Sequence, residues 1–164
     1  MTDFRFDQPD RFTVGVIGEV GQRLFLLQIR EGRRLMTLKI EKVQVATLST
    51  YLARLVKEMG RPKHLPEDLG LESELDVDFT VGDVNVMVNE QEQRIVLELD
   101  ELTSENEAGD HVLISLSREQ AAAFAIHATR IVEGGRPPCP LCALPLDPRG
   151  HDCPRTNGHR APLT

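Results

Sequence analysis

Apolar and polar residues alternate along six segments between residues 12 and 116. Because successive side chains of a strand point to opposite faces, this alternation predicts half-buried antiparallel strands. In the fourth segment the apolar positions change from odd to even numbers across Gly82 and Asp83, and this shift by one residue predicts a β-bulge. The apolar positions of the six segments are Phe12, Val14, Val16; Phe25, Leu27, Ile29; Met36, Leu38, Ile40; Val77, Phe79, Val81, Val84, Val86, Val88; Ile95, Leu97, Leu99; and Val112, Ile114, Leu116.

Two further segments have the helical period instead, and they predict helices over residues 44–59 and 118–133. Ser117, with Gln120 three residues later, has the pattern of a capping box, and Gly134-Gly135 is a typical helix stop. The apolar stripes that these helices turn toward the sheet are Leu48, Leu52, Leu55, Met59 and Phe124, Ala128, Ile131.

Short matches recur in the same order along the chain, which indicates an internal duplication. Phe12-Thr-Val-Gly15 returns as Phe79-Thr-Val-Gly82, and both halves end at Gly-Arg-Pro. Each copy has three strands followed by one helix. We therefore expect an α+β body over residues 1–135, built from βββα units at about 11–62 and 78–137. The units are expected to form about six antiparallel strands with two packed helices, related by a pseudo-dyad, and residues 136–164 form a separate tail.

Charge is unevenly distributed along the 164 residues, whose net charge is −7. Residues 1–63 hold 12 basic and 7 acidic residues, 64–135 hold 3 and 17, and 136–164 hold 4 and 2. The acidic total argues against a duplex-DNA-binding protein, which needs many uncompensated cations. We expect no membrane insertion, because no apolar run approaches the roughly 18 residues of a membrane span, and the first 15 residues lack the pattern of a signal peptide.

The basic first unit offers candidate binding residues. If the polarised surface orients a charged partner, the arginines of this unit and of the tail are the side chains that would contact it. The alternative is a solvated surface whose charges only maintain solubility. The candidates are Arg23, Arg30, Arg33 and Arg34, with Arg149, Arg155 and Arg160 in the tail.

All three cysteines lie in the tail, where prolines and glycines exclude a long helix or a central strand. Such a segment buries little of itself, and a structural Zn²⁺ would supply the missing stabilisation. Cys139, Cys142 and Cys153 provide three of the four tetrahedral ligands. His151 is the preferred fourth ligand, because Gly150 and Pro154 tighten its turn, and His159 is the alternative. A redox Cys-x-x-Cys and a disulfide framework are disfavoured, since there is no thioredoxin-like context and the cysteine number is odd.

Other motifs are better explained by structure than by chemistry. The spacing of Gly15, Gly18 and Gly21 lacks a following helix start, so turn or bulge glycines are expected rather than a phosphate loop. Asp76, Asp78 and Asp83 are candidate Mg²⁺ ligands, but a solvated acidic face is the simpler interpretation. His64 and His111 lie in polar segments that predict loops, and His127 lies on the second helix. None of the three has an evident serine, cysteine or carboxylate partner that would make it a general base.

The duplicated body followed by Cys139-Pro-Leu-Cys142 and then Gly150-His151-x-Cys153-Pro-Arg155-x-Asn-Gly resembles an uncharacterised bacterial family, a domain of unknown function. The resemblance spans nearly the whole chain and implies a cytoplasmic location. It also implies genes nearby for histidine-phosphatase-like and lipid-kinase-like proteins. The resemblance implies no enzymatic or binding activity for this chain.

Three functional hypotheses follow. The first is a non-catalytic binding or adaptor protein with a protein partner and a structural zinc tail. The second is a nucleic-acid or ribosome-associated module, which the scarcity of aromatic residues disfavours. The third is an enzyme acting on a phosphorylated small molecule, which only the implied gene neighbourhood suggests. No motif of an enzyme is present, so the non-catalytic hypothesis is preferred.

Overall fold

The computed structural model describes residues 2–19, 21–73, 75–134, 151–152 and 160–161. It has the α+β class that the sequence predicts. The elements in chain order are β1 (Asp3–Phe6), β2 (Arg11–Ile17), β3 (Leu24–Glu31), β4 (Arg34–Ile40), α1 (Lys42–Met59), β5 (Phe79–Asn89), β6 (Arg94–Glu101), β7 (His111–Leu116), α2 (Arg118–Glu133), β8 (His151–Asp152) and β9 (Arg160–Ala161).

The first seven strands form one sheet in the order β1-β7-β6-β5-β4-β3-β2. The sheet is mixed, because β1 pairs with β7 and β4 pairs with β5 in parallel, while the other pairs are antiparallel. The six predicted strands and the two helices are present, but β1 makes a seventh strand and the sheet is mixed rather than purely antiparallel. Strand β1 was missed because the alternation of its four residues, Asp3–Phe6, is too short to distinguish a strand from an irregular segment.

The two βββα segments follow each other in tandem. Strands β2, β3 and β4 occupy successive positions, and β5, β6 and β7 continue the series in the same order, with β4 parallel to β5. A two-fold axis perpendicular to the sheet would place equivalent strands of the two units side by side, and the observed order excludes that arrangement. The units follow each other by a step of three strands along the sheet, and a pseudo-dyad parallel to the strands of the curved sheet stays a prediction.

The ends of the sheet curve toward each other. Strands β1 and β2 lie at opposite ends of the order but are joined by only four residues, whose reach is roughly 17 Å. A flat seven-stranded sheet would be roughly 29 Å wide, so this connection requires strong curvature. The rings of Phe12 in β2 and Phe124 in α2 are 4.6 Å apart, and His127 Nε2–H donates to the Val14 carbonyl of the same edge strand at 2.9 Å. Helix α2 thus packs against the open end of the curved sheet.

The predicted ends of α2 and the bulge are confirmed, and α1 begins two residues before its predicted start at 44. Ser117 and Gln120 form a capping box at the start of α2, and Gly134 is its C-cap. The β5–β6 register shifts between Val81 and Val84, which is the predicted bulge. The two helices pack on each other, and neither is long and apolar enough to cross a membrane within the part of the chain that the structure describes.

Residues 68–72, which we call the strap, cover the first unit on its helix-free face, the face of the sheet opposite the two helices. The Thr13 hydroxyl donates to the Leu69 carbonyl at 2.5 Å, and the Gln28 side chain exchanges hydrogen bonds with the Glu72 backbone at 3.2 and 2.7 Å. Thr13 and Gln28 are consequently buried although both are polar. Strands β2 and β3 are therefore covered on both faces, where alternation predicted one buried face.

Gly15 lies within β2 and not in a turn, which corrects part of the expectation for the three spaced glycines. A Cβ built on Gly15 would overlap the Leu71 side chain, so this glycine makes room for the strap. Gly18 and Gly21 have positive φ angles of 92° and 91° in the β2–β3 connection, as expected for turn glycines.

Replacing Gly15 by alanine should displace the strap and leave the core folded. The overlap costs about 1–3 kcal/mol, which raises the open population of the strap about fivefold or more. Cleavage after Glu72 by a glutamate-specific protease should accelerate accordingly. Gly70→Ala is the matched control, because the nearest atom to its added Cβ is Asp68 Oδ1 at 3.9 Å, an ordinary van der Waals distance. Equal cleavage rates for the two variants would contradict this packing.

Candidate functional site

Strand β5 has a free edge over most of its length. It pairs with β4 at only two positions, Phe79 and Thr80, and α1 begins two residues after β4 ends. The Gln44 side chain donates to the Gly82 carbonyl at 2.8 Å, and the backbone of residues 84–89 has no partner on this side among the described residues. A free strand edge presents unpaired N–H and C=O groups that another strand can bind.

A groove of about 520 Å³ runs between this edge and helix α1. Its volume lies within the size range of ligand sites. Val43 is 71% exposed and Tyr51 is 42% exposed on its helix side, and Val88 is 38% exposed further along the edge strand. The residues lining it are Val43, Gln44, Thr47, Leu48, Tyr51, Gly82, Asp83, Val84, Asn85 and Val86.

The edge strand has the composition of a binding strand. Residues 84–89 have the sequence Val-Asn-Val-Met-Val-Asn and contain no charged residue and no proline. Charges and prolines usually protect an edge strand from pairing with another strand, so their absence favours strand addition. Asp83 is the only charged side chain among the described residues that line the groove. The arrangement is suited to an extended, apolar segment that carries a positive charge opposite Asp83.

A second cluster lies on the helix-free face of the second unit, which the strap does not cover. Nδ1 of His111 is 2.5 Å from Asp100 Oδ1, and Nε2 is 3.7 Å from Glu98 Oε1. The hydrogen bond to Asp100 raises the pKa of His111, with further contributions from the charges of Asp100, Glu98 and Asp3. The expectation that His111 lies in a loop without a carboxylate partner was wrong, because this residue begins β7 opposite Asp100.

The arginines proposed for binding occupy different environments. Arg30 Nε donates to both carboxylate oxygens of Glu72 at 2.8 Å, and this hydrogen bond lowers the pKa of Glu72. Arg34 pairs with Glu31 at 2.5 Å and lies over the Phe6 ring at 4.5 Å. Both guanidinium groups therefore hold structural contacts that sequence reasoning did not anticipate.

The other candidates lie at the surface or in the tail. Arg33 is exposed in the two-residue β3–β4 turn, and Arg23 lies beside Gly134 at the end of α2. Among the candidate Mg²⁺ ligands, Asp78 accepts from the Thr37 backbone N–H at 2.9 Å and so joins β4 to the start of β5.

The proposed zinc ligands lie outside the described residues, except for the backbone of one of them. Strand β8 pairs with β9 in antiparallel register, with His151 opposite Ala161 and Asp152 opposite Arg160. The outlying residues are Cys139, Cys142, Cys153 and His159, together with Arg149 and Arg155.

Comparison with known proteins gives a family but no activity. No curated protein and no solved structure matches the chain. The family model described as "Protein of unknown function (DUF3090)" matches residues 4–153, which include both βββα units and the tail through its last cysteine. This agrees with the resemblance to an uncharacterised family of unknown function. The chain belongs to the DUF3090 family.

Proposed function

We propose that this protein is a non-catalytic adaptor that binds a protein partner as an added strand on the free edge of β5. The observation that carries the proposal is the unpaired edge of residues 84–89 beside the apolar groove of α1. In strand addition, main-chain hydrogen bonds provide affinity and pockets for alternate side chains provide specificity. The free backbone edge and the adjoining groove support this mode of binding. A cytoplasmic location accords with this proposal.

The partner segment is expected to be extended and apolar, with a lysine or arginine facing Asp83. The lining of the groove is apolar apart from Asp83 and the uncharged polar side chains of Gln44, Thr47 and Asn85. A nucleic acid would find no cationic side chain among the described residues that line it. These features favour a protein partner over a nucleic acid.

The second part of the proposal is a structural Zn²⁺ in the tail, held by Cys139, Cys142, Cys153 and either His151 or His159. The support is chemical, because three thiolates and an imidazole match the closed tetrahedral site that Zn²⁺ forms in small structural modules. We also propose that the two βββα segments arose by duplication. Their identical strand order and the recurring Phe-Thr-Val-Gly support this origin.

The adaptor proposal is tested by capturing partners from native cells with wild-type and variant baits. Val43→Lys combined with Met87→Lys places charges on the groove and on the edge strand, where Met87 is 47% exposed. We expect this double variant to reduce capture of the specific partner at least tenfold, as read by quantitative mass spectrometry. The captured protein must then bind wild type directly when both are purified.

Two further baits make the result decisive. Ile126→Lys adds a charge at a 46% exposed apolar residue of α2 that does not line the groove, and capture should persist. Arg33→Glu tests the basic turn, and capture should also persist. Loss with Arg33→Glu but not with the groove variant would overturn the proposal. Capture of only this chain, together with a dimer in solution, would assign the edge to self-association instead.

A further inference from the structure

The side chains of Glu98, Asp100 and His111 converge on the uncovered face of the second unit. Glu98 and Asp100 are two residues apart on β6, so they point to the same side, and His111 lies directly opposite Asp100 on β7. Their ligand atoms all lie within 4.8 Å of one another. The His111 side chain is 19% exposed, and those of Glu98 and Asp100 are 32% and 40% exposed.

Asp100 fixes the tautomer of the imidazole ring. A carboxylate only accepts hydrogen bonds, so Nδ1 must donate at the observed 2.5 Å. In the neutral ring the lone pair is then on Nε2, on the side of Glu98. This is the arrangement in which metal-binding histidines are usually held, with one ring nitrogen bound to a carboxylate and the other directed at the metal.

The distance between the remaining two donors fits a shared cation. Nε2 of His111 and Oε1 of Glu98 are 3.7 Å apart. Two ligands at about 2.1 Å from one metal ion in tetrahedral geometry are about 3.4 Å apart, so a small side-chain adjustment suffices. The same distance is too long for a direct hydrogen bond between the two groups.

We propose that His111 and Glu98 bind a divalent first-row transition-metal ion, with Asp100 as the positioning residue. Imidazole and carboxylate donors suit Mn²⁺, Fe²⁺, Co²⁺ and Zn²⁺. Water completes the coordination, since this face of the sheet is open. Asp3, opposite His111 on β1, adds negative charge on the same face. The proposal does not depend on the adaptor function or on the tail.

The test uses the full chain with Cys142→Ser, which removes a thiolate from the tail so that its metal binding does not interfere. We expect calorimetric titration with Co²⁺ to show one ion per chain. Adding Glu98→Gln or His111→Asn should abolish this binding. Glu105→Gln and His64→Asn alter exposed residues of the same types outside the cluster, and the stoichiometry should remain at one.

Asp100→Asn tests the positioning role. It should weaken Co²⁺ binding about 10–100-fold and shift the ring nitrogen resonances of metal-free His111 in ¹⁵N NMR, which report the tautomer. If His111→Asn fails to fold, Glu98→Gln provides the same test. Absence of Co²⁺ binding in the Cys142→Ser protein would overturn the site. Unchanged binding in the Glu98→Gln variant would do the same.

Discussion

Replacing Phe124 by alanine should destabilise the protein by about 3–5 kcal/mol. The ring is fully buried and stacks at 31° to that of Phe12, so its loss leaves a cavity between α2 and the edge strand β2. An aromatic pair adds about 0.5–1.5 kcal/mol to the burial itself. For a chain of this size, thermal unfolding should shift downward by roughly 6–20 °C.

Ile126→Ala is the control for the Phe124 variant. It truncates an apolar side chain of the same helix that is 46% exposed, and it should move the midpoint by no more than about 2 °C. Circular dichroism melts of both variants provide the measurement. A Phe124→Ala midpoint close to that of Ile126→Ala would mean that the Phe12–Phe124 pair does not hold α2 against β2. That outcome would leave the His127 hydrogen bond to Val14 as the principal contact that holds α2 against β2.

The elements of the body were predictable because each carries its own local pattern. Period-two alternation located six strands, and Ser117 with Gln120 located the start of α2. The strap was not predictable in this way. Residues 68–72 have no period, and they are held by hydrogen bonds to Thr13 and Gln28 from 44 or more positions earlier in the chain. Gly15 was the available signal, since a glycine inside an alternating strand indicates close approach of another segment.

The binding groove was hidden from sequence reasoning for a different reason. A free edge exists only once the strand order is known, and it depends on β4 and β5 pairing at just two positions. Composition held one clue, because residues 84–89 lack the charges that usually protect an edge. Sequence reasoning placed the binding surface on the arginines of the first unit instead. In the structure, Arg30 pairs with Glu72 and Arg34 pairs with Glu31.

The His111 cluster was missed because strand register across a long connection cannot be deduced locally. Residues 102–110 separate β6 from β7, and shifting the register by one residue would turn His111 toward the helices. The observed register places it opposite Asp100. Alternation alone put Glu98 and Asp100 on the polar face, so half of the cluster was implied by the strand pattern.

Removing the zinc that we propose for the tail should disorder residues 136–164. Structural Zn²⁺ binding contributes about 10–16 kcal/mol in small zinc modules, and most of that free energy orders the chain around the metal. Chelation should therefore increase proteolysis of the tail. The melting midpoint of the body should change little, because its core is built from residues of the sheet and the two helices. Fully buried members of this core include Leu27, Leu97 and Leu116.

Elemental analysis of the His111→Asn variant isolates the tail, because the second proposed metal site is then removed. We expect one Zn²⁺ per chain in this background, and Cys142→Ser should abolish it, since three remaining ligands rarely hold structural zinc. His151→Ala should weaken binding more than His159→Ala, and the reverse order would exchange the fourth ligand. Protein that contains no zinc after expression with ample metal and purification without chelator would eliminate the site, and the three cysteines would then require another explanation.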